Sequence, residues 1–256
     1  MIEVRHLTIT RGGMTALDDV TLSLNDGEII CVIGPSASGK STLLGALCGM
    51  VPTRKGTILV RGDSLPRSGR RRASLTACCA SGPPDNPSET VYDFLLLGRE
   101  LHRRLLRPFS DYDRQVAEDL LALFELQPYR DEAIGSLSGG ILKRAVLAHA
   151  FAKESYCLVL DEPTANLDLR GERALRRALK RHVVDGSRIA VIASSDLSFA
   201  AGTADRLAVM DHGKVVAYCP ADSLDAEMIQ RVFGVKTIVS RNIYNGRPEI
   251  HLFPDG

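Results

Sequence analysis

The sequence predicts a three-layer α/β core. Three observations predict it: nearly continuous apolar runs of strand length, amphipathic helical stretches alternating with them, and a glycine-rich loop set between the first such run and a helix. With 256 residues the chain has room for one sizeable domain, or a core carrying a smaller subdomain, and a tandem duplication is excluded.

The elements follow in order. Ile2-Glu3-Val4-Arg5 and Val20-Thr21-Leu22-Ser23-Leu24 alternate apolar and polar residues, as strands with one buried face do, and they frame an antiparallel start. Glu28–Ile33 is almost wholly apolar, the pattern of a strand covered on both faces in a parallel sheet. Beyond the glycine loop, Ser41–Met50 places Leu43, Leu44, Ala46 and Leu47 at helical spacing, with Gly49 as the stop. From about Thr90 to Leu126 the pattern turns helical, with Val116, Leu120, Leu123 and Phe124 predicted on one stripe of a helix over Arg114–Leu126. The parallel pattern resumes at Cys157–Leu160, passes through a helix near Glu172–Val184, and adds strands at Ile189–Ala193 and Leu207–Met210. Val215–Tyr218 and the tail from Thr237 to Phe253 read as short strands and turns. The predicted organisation is one domain over 1–256: residues 1–80 and 150–256 form the α/β core with its antiparallel strands, and about 90–150 form a helical subdomain.

Lysine plus arginine total 32 against 31 aspartate plus glutamate, which gives no case for nucleic acid as a partner. No apolar stretch approaches the ~20 residues a membrane-spanning helix needs and the N-terminus is no signal peptide, so the chain is expected in the cytosol. Cys31, Cys48, Cys157 and Cys219 sit in apolar segments without CxxC spacing, reading as reduced packing residues; Cys78-Cys79 is the one adjacent pair. Arg70-Arg71-Arg72 reads as a solvated charge run, and His102, His149, His182 and His212 as structural or exposed.

Three segments carry chemistry. Gly34-Pro35-Ser36-Ala37-Ser38-Gly39-Lys40-Ser41-Thr42 fits the phosphate-loop pattern in its proper place, strand before and helix after. Its glycines let successive N–H groups curl around a phosphate at the positive end of the helix, and Lys40 reaches the β- and γ-phosphates. Ser41 offers a hydroxyl to Mg²⁺, Asp161 at the end of an apolar strand completes that metal's surroundings, and Glu162 follows as the candidate catalytic base. The third segment is Leu137-Ser138-Gly139-Gly140, ahead of Leu158-Val159-Leu160-Asp161-Glu162-Pro163.

Together these segments resemble the ATP-binding subunit of ABC transporters, a likeness that covers nearly the whole chain. The resemblance implies a P-loop NTPase (RecA-like) three-layer core with an antiparallel β subdomain and an inserted helical subdomain. It implies ATP and Mg²⁺ as ligands and a head-to-tail dimer with a second ATP-binding subunit, the same chain or a different one. Ser138, Gly139 and Gly140 then act in trans on the partner's nucleotide, and Asp168 in Ala165-Asn166-Leu167-Asp168 belongs to the dimer-contact loop. Leu95–His102, Val232–Val235 and Gly246-Arg247-Pro248 resemble importers for iron–siderophore complexes, haem and cobalamin. That implies two membrane permease subunits and an extracytoplasmic substrate-binding protein as partners, with this chain peripheral on the inner face of the membrane.

Four positions depart from the family pattern. Arg11 stands where an aromatic stacks the adenine, and Ala77-Cys78-Cys79-Ala80 replaces the segment that carries a glutamine. Ser195 stands where a histidine contacts the γ-phosphate, and Ile141 follows the LSGG run in place of a polar residue. A thiol cannot reproduce an amide's paired donor and acceptor, and a serine is never cationic. Two readings stay open: an importer ATPase whose own site hydrolyses slowly with Glu162 as base, and a largely non-hydrolysing regulatory or asymmetric partner. A soluble ABC protein acting on ribosomes or DNA is disfavoured by the single nucleotide domain and the lack of a basic arm.

Overall fold

The computed structural model describes residues 1–66, 69–79, 86–103 and 107–253. Strand β1 (Ile2–Arg11) pairs antiparallel with β2 (Met14–Leu24), as the alternating patterns predict. β3 (Ile29–Ile33) leads into α1 (Lys40–Leu47). β4 (Lys55–Val60) and β5 (Asp63–Ser64) complete a four-stranded antiparallel sheet of order β2-β1-β4-β5. α2 (Gly69–Leu75) and β6 (Thr76–Cys78) follow, then the helices α3 (Val91–Leu97), α4 (Asp111–Leu123) and α5 (Gly139–Ala152). β7 (Cys157–Asp161), α6 (Leu169–Val183), β8 (Ile189–Ala193), α7 (Leu197–Thr203) and β9 (Arg206–Asp211) rebuild the core. β10 (Lys214–Pro220), α8 (Ala226–Phe233) and the hairpin β11 (Thr237–Arg241) and β12 (Pro248–Leu252) end the chain.

The central sheet has the order β10-β9-β3-β8-β7-β6, parallel except for β10. Its strands explain their own composition. Ile29, Cys31 and Ile33 of β3 face one apolar core with Leu158, Leu160, Ile192 and Val209. Ile30 and Val32 face the other with Val159, Val191 and Met210. A strand buried on both faces has no polar position to spare, so alternation disappears and a continuous apolar run remains. The second core lies between this sheet, α1 and the antiparallel sheet; the first lies under the helices.

One expectation needs correction. Within the helical stretch from Thr90 to Leu126, α3 passes into a 3₁₀ turn at Gly98–Leu101, and α4 starts at Asp111 under a Ser110–Asp113 capping box, ahead of the predicted Arg114. Within α4 the deepest stripe is Asp113, Ala117 and Leu121, with Phe124 capping the helix; Val116, Leu120 and Leu123 lie beside it, half-buried. The apolar count pointed one position off because a buried aspartate faces inward to meet Arg99. Helix α8, with Asp225 as its N-cap and Gly234 as its left-handed C-cap, stands between β10 and the terminal hairpin.

Candidate functional site

The phosphate loop joins β3 to α1. Gly34 has φ +156°, and a Cβ there would sit 2.2 Å from the Met210 carbonyl oxygen and 2.7 Å from Ser38 Oγ, so no other residue fits. The turn after β9 clamps the loop from behind: Gly213 N–H donates to Ser38 O (3.0 Å), and Gly213 O accepts from Asp18 N–H (2.9 Å). The first backbone bond of α1 runs from Leu43 N–H to Gly39 O (2.9 Å), leaving the preceding amides at the positive end of the helix. Lys40 Nζ folds over this cradle and donates to Gly34 O (2.7 Å) and Pro35 O (2.9 Å). Ser38 Oγ is buried without a partner.

Asp161 ends β7 and Glu162 follows in the left-handed region at φ 44°. A non-glycine residue held there is strained, and the surroundings fix it. Glu162 N–H donates to Ala193 O of β8 (2.9 Å), and Lys143 of α5 donates to Glu162 O (3.3 Å). The Glu162 carboxylate itself is held by Ser195: Oε2 accepts from Ser195 N–H (3.0 Å) and from Ser195 Oγ (2.9 Å). Burial pushes the Lys40 ammonium below its ordinary pKa, and the charges of Glu162 and Asp161 oppose that shift. Glycine loop, lysine and both strand-end carboxylates thus act on one another electrostatically.

The four departures lie in four different places. Arg11 lies at the tip of the β1–β2 hairpin, paired with Met14, where Ala16 of β2 runs beside the loop at Gly39. Cys78 ends β6, next to Val159 of β7; Ala80, in the same predicted segment, lies outside the described residues. Ser195 follows β8 and bonds Glu162. Ile141 is half-buried against the first core, which explains an apolar residue after the exposed Ser138 and Gly139.

Ser138 is the N-cap of α5, and Gly140 approaches Asn166 O at 3.5 Å (the distance a Cβ would have). The LSGG run therefore stands beside the loop after β7, and no hydrogen bond among the described residues links Ser138, Gly139 or Gly140 to residues 34–42. Asp168 caps α6, its Oδ1 accepting from Gly171 N–H (2.7 Å), an N-cap role that the sequence reading missed although Asp three residues before Gly171 is its signal.

Sequence reasoning also missed the physical content of Leu95–His102. A Cβ on Gly98 would lie 2.7 Å from Ala152 Cβ and 2.9 Å from His149 O, so this turn touches the end of α5 directly. Arg99 is 1% exposed, donating to Asp113 Oδ1 (2.9 Å), Ala152 O (2.6 Å) and Glu154 Oε2 (2.7 Å). His102 Nε2 bonds Lys153 O at 2.8 Å. The segment latches the helical insertion to the C-terminal end of the LSGG helix. Arg70 donates to Arg103 O and Arg72 packs on Gly49, so the arginine run belongs partly to the fold rather than to solvent alone.

A glycine loop opening a helix on a parallel sheet, with a lysine and two strand-end carboxylates converging on it, defines a nucleoside-triphosphatase cassette. A family model described as ABC transporter matches residues 17–165. The hemin import ATP-binding protein of Rhodococcus jostii is 33% identical over 237 residues, covering 89% of this chain and 78% of the relative. The cobalamin import ATP-binding protein of Halobacterium salinarum is 32% identical over 258 residues, 99% of this chain but 64% of that longer relative. The manganese transport system ATP-binding protein of Listeria innocua is 31% identical over 234 residues, 91% and 96% of the two chains. The fold matches a solved ATP-binding subunit of an ABC transporter at a TM-score of 0.77 and 24% identity, covering 91% of this chain and 93% of that one. The chain belongs to the ABC transporter family, as an ATP-binding, ATP-hydrolysing subunit. No helix among the described residues is long and apolar enough to cross a membrane.

Proposed function

We propose that the chain powers an ABC importer for iron–siderophore, haem or cobalamin-type cargo, and that its own site hydrolyses ATP slowly with Glu162 as base. Relatives named for hemin and cobalamin import, at about a third identity, support the cargo class. The Ser195–Glu162 contact carries the hydrolysis reading. Oε2 of the carboxylate is engaged by two donors of Ser195, while Oε1 accepts no hydrogen bond among the described residues and is the oxygen left to take a proton from water. Position is provided; the cation that a histidine would add beside the γ-phosphate is not. Loss of one preorganised donor from such a site costs about 10²–10³ in rate.

The site fits a magnesium–triphosphate. The loop around Gly34 is a cradle that a Cβ would fill, Ser38 Oγ is buried with an unused hydrogen-bonding group, and Lys40 faces two carboxylates. Ser41 and Asp161 would hold the metal, which neutralises phosphate charge when bound; no group of three or more His, Cys, Asp or Glu among the described residues builds an all-protein cage. That is the usual Mg²⁺ arrangement, with phosphates and water supplying the remaining ligands. Lys40 orients the phosphates, Ser195 orients Glu162, and Glu162 receives the proton of the attacking water. Head-to-tail pairing with a second ATP-binding subunit brings Ser138, Gly139 and Gly140 to the opposite nucleotide, with Asp168 at the contact. The permease subunits place the chain on the inner face of the membrane, and an extracytoplasmic binding protein delivers cargo.

The second reading, a largely non-hydrolysing partner, is favoured by the three departures Arg11, Cys78 and Ser195 taken together. Single-turnover ATP hydrolysis by the chain with its permease separates the two. Slow turnover abolished by Glu162→Gln and raised by Ser195→His is expected; turnover indifferent to Glu162→Gln establishes the non-hydrolysing reading instead.

A further inference from the structure

Helix α4 carries two apolar stripes, and only one of them is core. Ala117 and Leu121 are fully buried, whereas Val116, Leu120 and Leu123, which the sequence pattern singles out, are half-buried beside them. These three line a cleft of about 240 Å³ between α4 and α6, with the buried Phe151, Ala178 and His182 as its floor. Sites for drug-sized ligands run from about 300 to 1,000 Å³, so this space suits a smaller molecule. The polar groups around it are unevenly spent. Glu154 accepts from Arg99 (2.7 Å), Tyr112 Oη (3.1 Å) and Arg188 (3.4 Å), and Asp119 accepts from Gln115 (2.9 Å). Both carboxylates are engaged, and Arg188 with them. Arg181, exposed on α6 at the same cleft, makes no hydrogen bond or ion pair among the described residues. His182, the next residue, is 5% exposed, and its Nε2 is buried without a partner.

We propose that this cleft binds a small aromatic carboxylate bearing a hydroxyl group, held between α4 and α6. Each part of that ligand answers a group the protein leaves unspent. The half-buried Val116, Leu120 and Leu123 and the Phe151 ring offer apolar cover to the aromatic body. Arg181 is the one uncommitted cation of the lining, and its planar fork matches a single carboxylate. Arg188 is already neutralised by Glu154, so a second anionic group has no counterpart. The hydroxyl pairs with His182 Nε2. Burial, with the Arg188 charge behind it, lowers the His182 pKa to about 4, so at neutral pH the imidazole is uncharged and this nitrogen is one donor or one acceptor. A hydroxyl serves either role. An unpaired buried polar atom is an exception among native proteins, and a ligand that pairs it removes the cost of leaving it bare. Phe151 stands edge-on to the same imidazole with centroids 6.0 Å apart, which holds the ring in place before the ligand arrives.

The experiment is calorimetric titration of the full chain, saturated with Mg·ATP so that the phosphate loop is occupied, with 4-hydroxybenzoate as the probe. Benzoate, which lacks the hydroxyl, and 4-hydroxybenzyl alcohol, which lacks the carboxylate, are titrated beside it. Saturable binding of one 4-hydroxybenzoate per chain is expected, with each truncated probe about tenfold weaker. Arg181→Gln, an exposed change that leaves the fold alone, should weaken 4-hydroxybenzoate about tenfold and leave the alcohol unaffected. His182→Phe should bind benzoate and 4-hydroxybenzoate alike. Bound probe should also slow amide hydrogen exchange in α4 and α6 together, because the occupant bridges them. Absence of saturable binding overturns the proposal, as does an alcohol that binds as well as the carboxylate. Arg181→Gln binding 4-hydroxybenzoate at wild-type strength overturns it too, as does protection from exchange that appears elsewhere than α4 and α6.

Discussion

Two clusters of charge, one at the C-terminal end of the LSGG helix and one at the nucleotide site, are built on opposite plans. At its C-terminal end, Arg99 spends its donors on Asp113, Glu154 and the Ala152 carbonyl, Arg188 joins Glu154 at 3.4 Å, and Tyr112 bonds the same carboxylate. At the nucleotide site Lys40 is satisfied only by two carbonyls of its own loop, Ser38 Oγ has no partner, and the carboxylate of the strained Glu162 is held by a single residue. The closed cluster fixes one element on another and has nothing left to offer. The open one keeps unspent hydrogen-bonding capacity and backbone strain, and these are what a charged ligand can use.

Arg99→Ala is the strongest test of that division. It strands Asp113, which is 5% exposed, without its cation and leaves Glu154 only Arg188, and breaking such a buried pair costs about 3–5 kcal/mol. The urea midpoint should fall accordingly, while ATP affinity of the folded protein stays at wild type. A variant that binds ATP poorly but unfolds normally would place Arg99 on the functional side. Lys40→Ala should do the reverse. Losing charge-assisted bonds to phosphate costs about 3 kcal/mol, or roughly 10²-fold in ATP affinity, with the unfolding midpoint unchanged or raised because a half-buried cation has gone.

Acid should attack the closed end first. His149 of α5 stacks on Phe94 with centroids 4.3 Å apart and bonds its carbonyl at 2.7 Å; burial, with the Lys153 charge behind it, lowers the imidazole pKa to about 4. The unfolded chain takes up this proton near pH 6.5 and the folded chain only near 4, so the stability is complete above 6.5 and is lost as pH falls between the two values. At about pH 5 the loss is about 2 kcal/mol, and His149→Gln should flatten the fall in the urea midpoint. An equally steep fall in that variant assigns the acid limb elsewhere; His182, also lowered to about 4 by burial, is the next candidate.

The open end was legible in the sequence and the closed end was not. A phosphate loop needs a contiguous run of residue types because its ligand is held by consecutive backbone groups, so Gly34–Thr42 announces itself without any tertiary information. The parallel strands announce themselves because double-sided burial leaves continuous apolar runs. Arg99, Asp113 and Glu154 carry no such spacing: their partnership exists only after α4 folds back on α5, and in sequence each reads as an ordinary surface charge. The same reason hid the inward stripe of α4, where a buried aspartate breaks the apolar count.

The finest distinction lies inside the open cluster, at Ser195. Its amide and hydroxyl reach the same Glu162 oxygen, and only the hydroxyl can be removed by mutation. Ser195→Ala keeps the amide bond, so the carboxylate stays near its place but loses one of two restraints. A hydrogen bond to a charged group is worth about 1.5 kcal/mol at the low end, which is about tenfold in turnover. ATP affinity should not move, because Glu162 is a carboxylate and the phosphates are held by the loop and Lys40. A tenfold loss in kcat at unchanged KM makes Ser195 the residue that aims the base. A loss confined to KM would instead put the Ser195 hydroxyl on the phosphate side of the site.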